Sequence, residues 1–364
     1  MCRRCASLAR RSTKPNPSVD PIRKAIKHGR FEEFRDLFFQ SSPQVDAWLA
    51  IAAGNHNTAP KHGGHERIVD FLIERGAKPD RRTLFESARD GSQELADRLI
   101  AGGVEPDIFT CAALGDSSAT RTLLHRQPEL ARTRVPEGIR SYQDFTPLHL
   151  CCLSALGRRR PTQEAELLKT ARLLADHGAD VNATATFYGT LTVTPLDMTA
   201  HTGGNLSIAE LLIAQGARIS SFALGEALAH RGRSLEEGFA LAEILLRHGL
   251  AINSLYKDGT ILHNSANTGN TEVVKWLLER GADIDARDPS GQTPLHRAAA
   301  RNRSSQTIAL LAEWGADLQA RDHQGLTPLD IANLHGKTEV ARWLSDAETA
   351  SSPSSKPESR TQTT

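Results

Sequence analysis

Gly281-Ala282-Asp283-Ile284-Asp285-Ala286-Arg287-Asp288-Pro289-Ser290-Gly291-Gln292-Thr293-Pro294-Leu295-His296-Arg297-Ala298-Ala299-Ala300 is the stretch that decides the architecture. It runs from a polar turn into a helix start. Thr293 is placed to cap a helix whose first residue is Pro294, where the missing N–H costs nothing because the first amides of a helix have no intrahelical acceptor. Leu295 supplies an apolar contact, and Ala298-Ala299 let a neighbouring helix approach closely.

The same start recurs outward from this segment, at Thr146-Pro147-Leu148-His149, Thr194-Pro195-Leu196-Asp197, Thr260-Ile261-Leu262-His263 and Thr327-Pro328-Leu329-Asp330. From Thr146 onward, successive threonines are 48, 66, 33 and 34 residues apart, and 66 is twice 33 with one eroded copy between. A second motif keeps step: Leu173-Leu174 before Gly178-Ala179-Asp180, Leu211-Leu212 before Gly216-Ala217, Leu277-Leu278 before Gly281-Ala282-Asp283, and Leu310-Leu311 before Gly315-Ala316-Asp317. The interval from Thr194 to Gly216 is 22 residues, room for two short helices and a turn. The glycine after the second helix suits a left-handed C-terminal turn, and the polar Asp/Arg/Gly segment that follows reads as a β-hairpin tip. Units repeated at a fixed period stack on their neighbours and share one core.

On these residues the chain resembles the ankyrin-repeat family, whose signature is a 33-residue period carrying Thr-Pro-Leu-His. The resemblance implies an all-α repeat solenoid of stacked helix pairs with short β-hairpin fingers, mainly in the C-terminal half. About ten helix pairs are expected between residues 19 and 348 as one continuous array, degenerate over 19–144 and regular over 145–348. The weaker N-terminal pairs are read from Asp20-Pro21-Ile22 in the Thr-Pro-Leu slot, Phe31 to Phe39 as a second helix, and the segments Trp48 to Gly76, Leu84 to Gly103 and Ile108 to Gln127. The glycines closing the first helices there, Gly29, Gly54, Gly91 and Gly115, leave little room for full hairpins. Residues 1–18 and the Ser/Thr/Pro-rich tail 349–364 have almost nothing to bury and are expected to be disordered.

Departures from the repeat are informative because solenoid insertions emerge as surface loops. The 48-residue interval carries two, near 154–168 and 183–193. The first includes Arg158-Arg159-Arg160, either a solvated extension or a basic grip for an acidic partner or phosphate. The second alternates like a strand and turns near Gly189, so a long β-finger is expected. Phe187 and Tyr188 are its aromatic anchors, or else pack on the adjacent hairpin. The Arg132 to Asp144 connection is placed to cover the same edge. Around Ser220 to Gly249 the hairpin is shortened, which predicts a gap in the comb of fingers.

Lys plus Arg number 44 against 43 Asp plus Glu, so there is no overall charge drive toward nucleic acid or an acidic membrane. No apolar run approaches the roughly 20 residues of a membrane span, and the N-terminus lacks the apolar stretch of about 7–15 residues that a secretory signal requires. Five unevenly spaced cysteines fit a reducing compartment, so the expectation is a cytoplasmic protein. Cys2 and Cys5 form half a zinc site at most, and Cys111, Cys151 and Cys152 occupy small-residue slots as core thiols. Gly-rich phosphate loops, paired-histidine metal helices and nucleophile elbows are missing from the sequence, so no catalytic residue, cofactor or metal is assigned. His149, His263 and His296 fill the histidine slot of the repeat, where the imidazole hydrogen-bonds within and between units. His56, His62 and His65 lie in a polar loop without carboxylate or thiol ligands at metal spacing.

The family resemblance implies partner binding through hairpin tips and the exposed side of the first helices. Position by position, the tip slots are Phe145, Lys257, Asp258, Pro289, Ser290, Gln292, His323, Gln324 and Leu326. The helix slots are His201, Asn267, Arg301 and His335, and Phe187 and Tyr188 join them from the long finger. The resemblance also places Asn182 at a hairpin position that can be hydroxylated in animal ankyrin proteins, with a turn-stabilising asparagine as the plain alternative. The functional expectation is a non-catalytic protein–protein interaction scaffold or adaptor. The alternative is a dedicated inhibitor or effector that occludes a target enzyme, with nucleic-acid binding through the basic loop a third reading.

Overall fold

The computed structural model describes residues 19–39, 45–53, 63–89, 92–135, 142–154, 161–229, 234–301 and 305–351. Gly54, Gly91, His56, His62, Cys2, Cys5 and the arginines at 158–160 lie outside them. The chain forms two compact units, Met1–Arg218 and Ile219–Thr364. The division falls at the short link between Gly216 and the helix cap Ser220, where the hairpin that would extend the comb is missing from the sequence.

In the first unit, helices α1 (Val19–Lys27) and α2 (Phe31–Phe38), α3 (Val45–Ala53) and α4 (Gly63–Glu74), α5 (Arg81–Arg89) and α6 (Gln93–Ala101), and α7 (Ile108–Leu114) and α8 (Ser117–Arg126) pack as successive pairs. Each first helix also touches the next first helix, α1 on α3, α3 on α5, α5 on α7. Small buried residues permit this: Ala25, Ala52, Ala53, Ala88, Ala112 and Ala113 are essentially inaccessible. The second helices bring larger side chains. Phe34 lies among Phe38, Phe71 and Trp48 with ring centroids 5.9, 5.7 and 6.1 Å away. Asp107 and Asp116 cap α7 and α8 by accepting from the amides of Thr110 (2.8 Å) and Ala119 (2.9 Å).

Further along the first unit come β1 (Tyr142–Gln143), α9 (Pro147–Leu153), α10 (Pro161–Asp176), β2 (Ala185–Phe187), β3 (Leu191–Val193), α11 (Pro195–Met198), which continues as a wide turn through Thr199–Gly203, and α12 (Leu206–Ala214). The long finger forms an antiparallel three-stranded sheet in the order β1-β2-β3, with Tyr142 opposite Phe187 and Phe187 opposite Leu191. Strand β1, near the end of the 132–144 connection, therefore covers one edge of the finger. Arg134 fixes the junction by donating to the carbonyls of Asp144 and Thr184, both at 2.9 Å.

The second unit holds α13 (Ser221–Leu228), α14 (Leu235–Arg247), β4 (Leu255–Tyr256), β5 (Gly259–Thr260), α15 (Ile261–Thr268), α16 (Thr271–Glu279), α17 (Pro294–Arg301), α18 (Gln306–Glu313), α19 (Pro328–Leu334) and α20 (Thr338–Ser351). The last helix runs past the boundary read at 348. First helices stack on first helices, α13 on α15, α15 on α17, α17 on α19, and the second helix α16 stacks on α18. Ala266, Ala298, Ala299 and Ala332 line the close contacts, while Leu245, Val274, Leu277, Ile308 and Leu311 fill the space behind them. The second helices α16 and α18 end at Gly281 and Gly315, with φ of 79° and 92°, the left-handed conformation that glycine adopts without a Cβ clash.

Candidate functional site

The threonine of each helix start closes the repeat locally, and where a histidine stands three residues later it ties the repeat to the next. Thr260 donates its backbone N–H to Nδ1 of His263 at 3.1 Å, and His263 in turn donates its amide to the Thr260 hydroxyl. Because Nδ1 accepts, the ring proton sits on Nε2, which donates to the Gln292 carbonyl of the following hairpin at 3.0 Å. His296 repeats this with Thr293 (3.2 Å) and the Leu326 carbonyl (3.0 Å), and His149 does so with Thr146 (3.2 Å) and the Val193 carbonyl (3.4 Å). The latch requires a neutral ring. Burial pushes His149 down to about 4 and lowers His263 and His296 as well. Asp197 and Asp330 cap their threonines in the same way, each accepting from the threonine amide at 2.9 Å.

Two hairpins of the second unit are fixed by buried aspartates. Asp288 accepts from the amides of Ser290 (2.8 Å) and Gln292 (3.0 Å), and Asp322 accepts from those of Gln324 (2.9 Å) and Leu326 (3.0 Å). His323 donates its amide to the Ser290 carbonyl at 3.0 Å and so joins the two tips. These bonds hold Pro289, Ser290, His323 and Gln324 as a rigid, exposed row, with Leu326 half-buried at its base.

Below the β4–β5 tip, a cleft of about 310 Å³ opens between that hairpin and the exposed sides of α15, α17 and the end of α19. Six of the residues read from the repeat line it: Lys257, Asp258, Asn267, Gln292, Arg301 and His335. Asn264 and Arg297 line it too, and sequence reasoning passed them over. Both stand four residues after the capping threonine, a position that a helix turn carries to the same side as the assigned slots. Arg297 is locked in place by fully buried Asp288, with a 2.6 Å ion pair. Tyr256 forms the wall of the cleft, and burial raises its phenol above the usual value.

Three assignments are corrected. Phe145, Phe187 and His201 are buried, at 0%, 1% and 7% exposure, and cannot serve as surface anchors. They pack together at the root of the long finger: Phe187 is 5.9 Å from Phe145, 5.8 Å from Tyr142 and 5.0 Å from His201. Alternation decides the outcome, because Phe187 faces the helices on a strand whose inner residues Ala185 and Phe187 are both buried. Tyr188 falls in the turn instead, 64% exposed and in the left-handed region at φ 50°. Asn182 spends both ends of its amide on the fold, donating to the Gly216 carbonyl (2.9 Å) and accepting from the Arg218 amide (2.7 Å).

Cys111, Cys151 and Cys152 are free and buried, and burial raises Cys111 and Cys152 to about 12. His65 is buried against the Lys27 carbonyl at 3.2 Å. Among the described residues no group of three His, Cys, Asp or Glu side chains could hold a metal ion, and no helix is long and apolar enough to cross a membrane.

Ankyrin-repeat models match residues 143–186 and, in overlapping copies, 233–322 and 262–353. These segments hold the three threonine–histidine pairs, at Thr146, Thr260 and Thr293. Over these segments the chain carries ankyrin repeats. Human neurabin-2 is 31% identical over 125 residues, 34% of this chain and 14% of that protein. A putative ankyrin repeat protein of Rickettsia bellii is 51% identical over 55 residues, 15% of this chain and 23% of that one. Each match thus spans less than a quarter of the relative's length. Among solved structures, the human ASB11 ankyrin repeat domain aligns at 27% identity over 66% of this chain and 96% of that chain, with a TM-score of 0.48. Ankyrin repeats as a class mediate protein–protein interaction.

Proposed function

We propose that this ankyrin-repeat chain is a non-catalytic scaffold or adaptor that holds a partner protein on the hairpin and first-helix side of its second unit. The observation that carries the reading is the cleft itself, a concave surface lined by six residues assigned from their repeat positions alone. Its walls are pre-formed by main-chain bonds to Asp288 and by the His263 latch, so few residues need ordering when a partner binds. The buried free thiols fit work in a reducing compartment, which supports a cytoplasmic setting.

Site-specific photo-crosslinking tests the reading. A benzophenone side chain at Asn267, in the cleft, is expected to give a discrete protein adduct in extracts of the source cells, and one at Lys275, exposed on α16, a much weaker one. Equal or reversed yields would refute the assignment of this side as the binding surface. Retention on a nucleic-acid column that weakens steeply with salt would transfer the function to nucleic acid.

A further inference from the structure

We infer that the cleft takes an extended, acidic segment of its partner protein, with an Asp or Glu carboxylate held by Arg301 and Lys257 and the peptide backbone held by Asn264 and Asn267. This rests on the protein-binding reading above and adds the chemistry of the partner. The cleft is charged in an unbalanced way. Arg297 is neutralised by its 2.6 Å pair with Asp288, and His263 is held neutral because its Nδ1 accepts the Thr260 amide. Among the described residues, Arg301 and Lys257 have no carboxylate partner. Asp258 is the sole carboxylate among the residues lining the cleft, and it sits exposed in the two-residue turn beside Lys257.

The backbone places these cations deliberately. Lys257 sits at φ 57°, a left-handed conformation that Gly, Asn or Asp would take at lower cost in a two-residue hairpin. Its ammonium rests 4.7 Å from the Tyr256 ring centre, which fixes the charge at the lip of the cleft. Strain of this kind is characteristic of functional positions. Arg301 ends α17 on the same wall as Arg297, and Asn264 and Asn267 offer amide donors and acceptors from consecutive turns of α15. An amide side chain can pair with both the N–H and the C=O of an extended strand. At about 310 Å³ the cleft is at the small end of ligand sites, roughly 300–1,000 Å³, so it suits a few residues of a strand rather than a folded surface. Two unpaired cations beside a carboxylate are too few for nucleic acid, whose affinity accumulates over many phosphate contacts.

Selection of random dodecapeptides displayed on phage, against the full chain, tests this. K257E/R301E replaces two exposed side chains, and Ala300→Trp, with Asn267→Trp as a second blocking variant, fills the cleft; circular dichroism checks that each folds. Peptides whose binding is lost on the blocked variants are expected to be rich in Asp and Glu and to weaken about tenfold or more on K257E/R301E, and that variant should select Lys- and Arg-rich peptides instead. Cleft-dependent peptides without acidic enrichment, or acidic peptides indifferent to K257E/R301E, would overturn the inference and leave the binding surface standing. If no selected peptide depends on the cleft, both readings fall. Tighter cleft-dependent binding of a twelve-nucleotide oligothymidylate than of the acidic peptides would overturn the inference in favour of nucleic acid.

Discussion

In the N-terminal pairs, Phe34, Phe38, Trp48 and Phe71 hold neighbouring units together by packing ring edges on ring faces, with centroids from 5.1 to 6.1 Å. In the C-terminal repeats, neighbouring units are joined by threonine–histidine–carbonyl bonds, such as those of His263 and His296 to the next hairpin at 3.0 Å. Apolar burial is non-directional and accepts many side chains in many positions. A hydrogen-bond latch accepts one geometry. That contrast explains why the first region has lost the Thr-Pro-Leu-His text while keeping helix pairs, and why the second keeps both.

The largest effect should come from the aromatic side of the contrast. Phe34→Ala is expected to cost about 3–5 kcal/mol, because Phe34 is fully buried among three rings. Urea unfolding of the first transition would measure it, and a loss below about 1 kcal/mol would show that the N-terminal pairs do not depend on this cluster.

Next in size is acid sensitivity at the His149 latch. The unfolded chain takes up the proton below its ordinary 6.5, whereas burial holds the folded ring unprotonated down to about 4. Its contribution is therefore complete above pH 6.5 and is lost on acidification between 6.5 and 4, by an amount on the order of 3 kcal/mol. Denaturation midpoints across that range should fall more steeply for the wild type than for His149→Asn. Equal slopes would remove His149 from the account.

His296→Ala should cost about 1–3 kcal/mol by stranding the buried Thr293 amide and the Leu326 carbonyl. Gly291→Ala should be comparable or slightly smaller, about 1–2 kcal/mol, since φ is 74° and a Cβ would stand 2.5 Å from the His323 ring and 2.9 Å from its backbone nitrogen. The smallest change is expected from Lys257→Gly. Relief of the left-handed lysine and the added freedom of the unfolded glycine offset each other, leaving stability within about 0.5 kcal/mol. Thermal melts of the three variants would rank them, and a different order would mean that the latch is not what fixes the hairpins.

Much of this was legible in the residues. Thr293-Pro294-Leu295-His296 announced a cap, a helix and an inter-unit bond, and the hairpin register of Lys257, Asp258 and Gln292 followed from their distance to the threonines. Phe187 was not legible as core, because an alternating strand carries its inner and outer sides in either phase until its partners are known. The Tyr142 strand and the rings of Phe145 and His201 set that phase. Arg297 and Asn264 were missed for a related reason: their neighbours in the sequence are buried alanines, leucines and histidines, and only the stacking of α15 on α17 brings both to one opening.

The sequence by itself determined that this protein is a stack of ankyrin units, because each unit's caps, leucines and closing glycine act over distances shorter than the 33-residue period. Tertiary structure alone decided which aromatic residues are swallowed by the long finger, and that two cations meet two asparagines in one cleft. Those outcomes depend on side chains from different units reaching one another across the stack, and a one-dimensional period does not encode that distance.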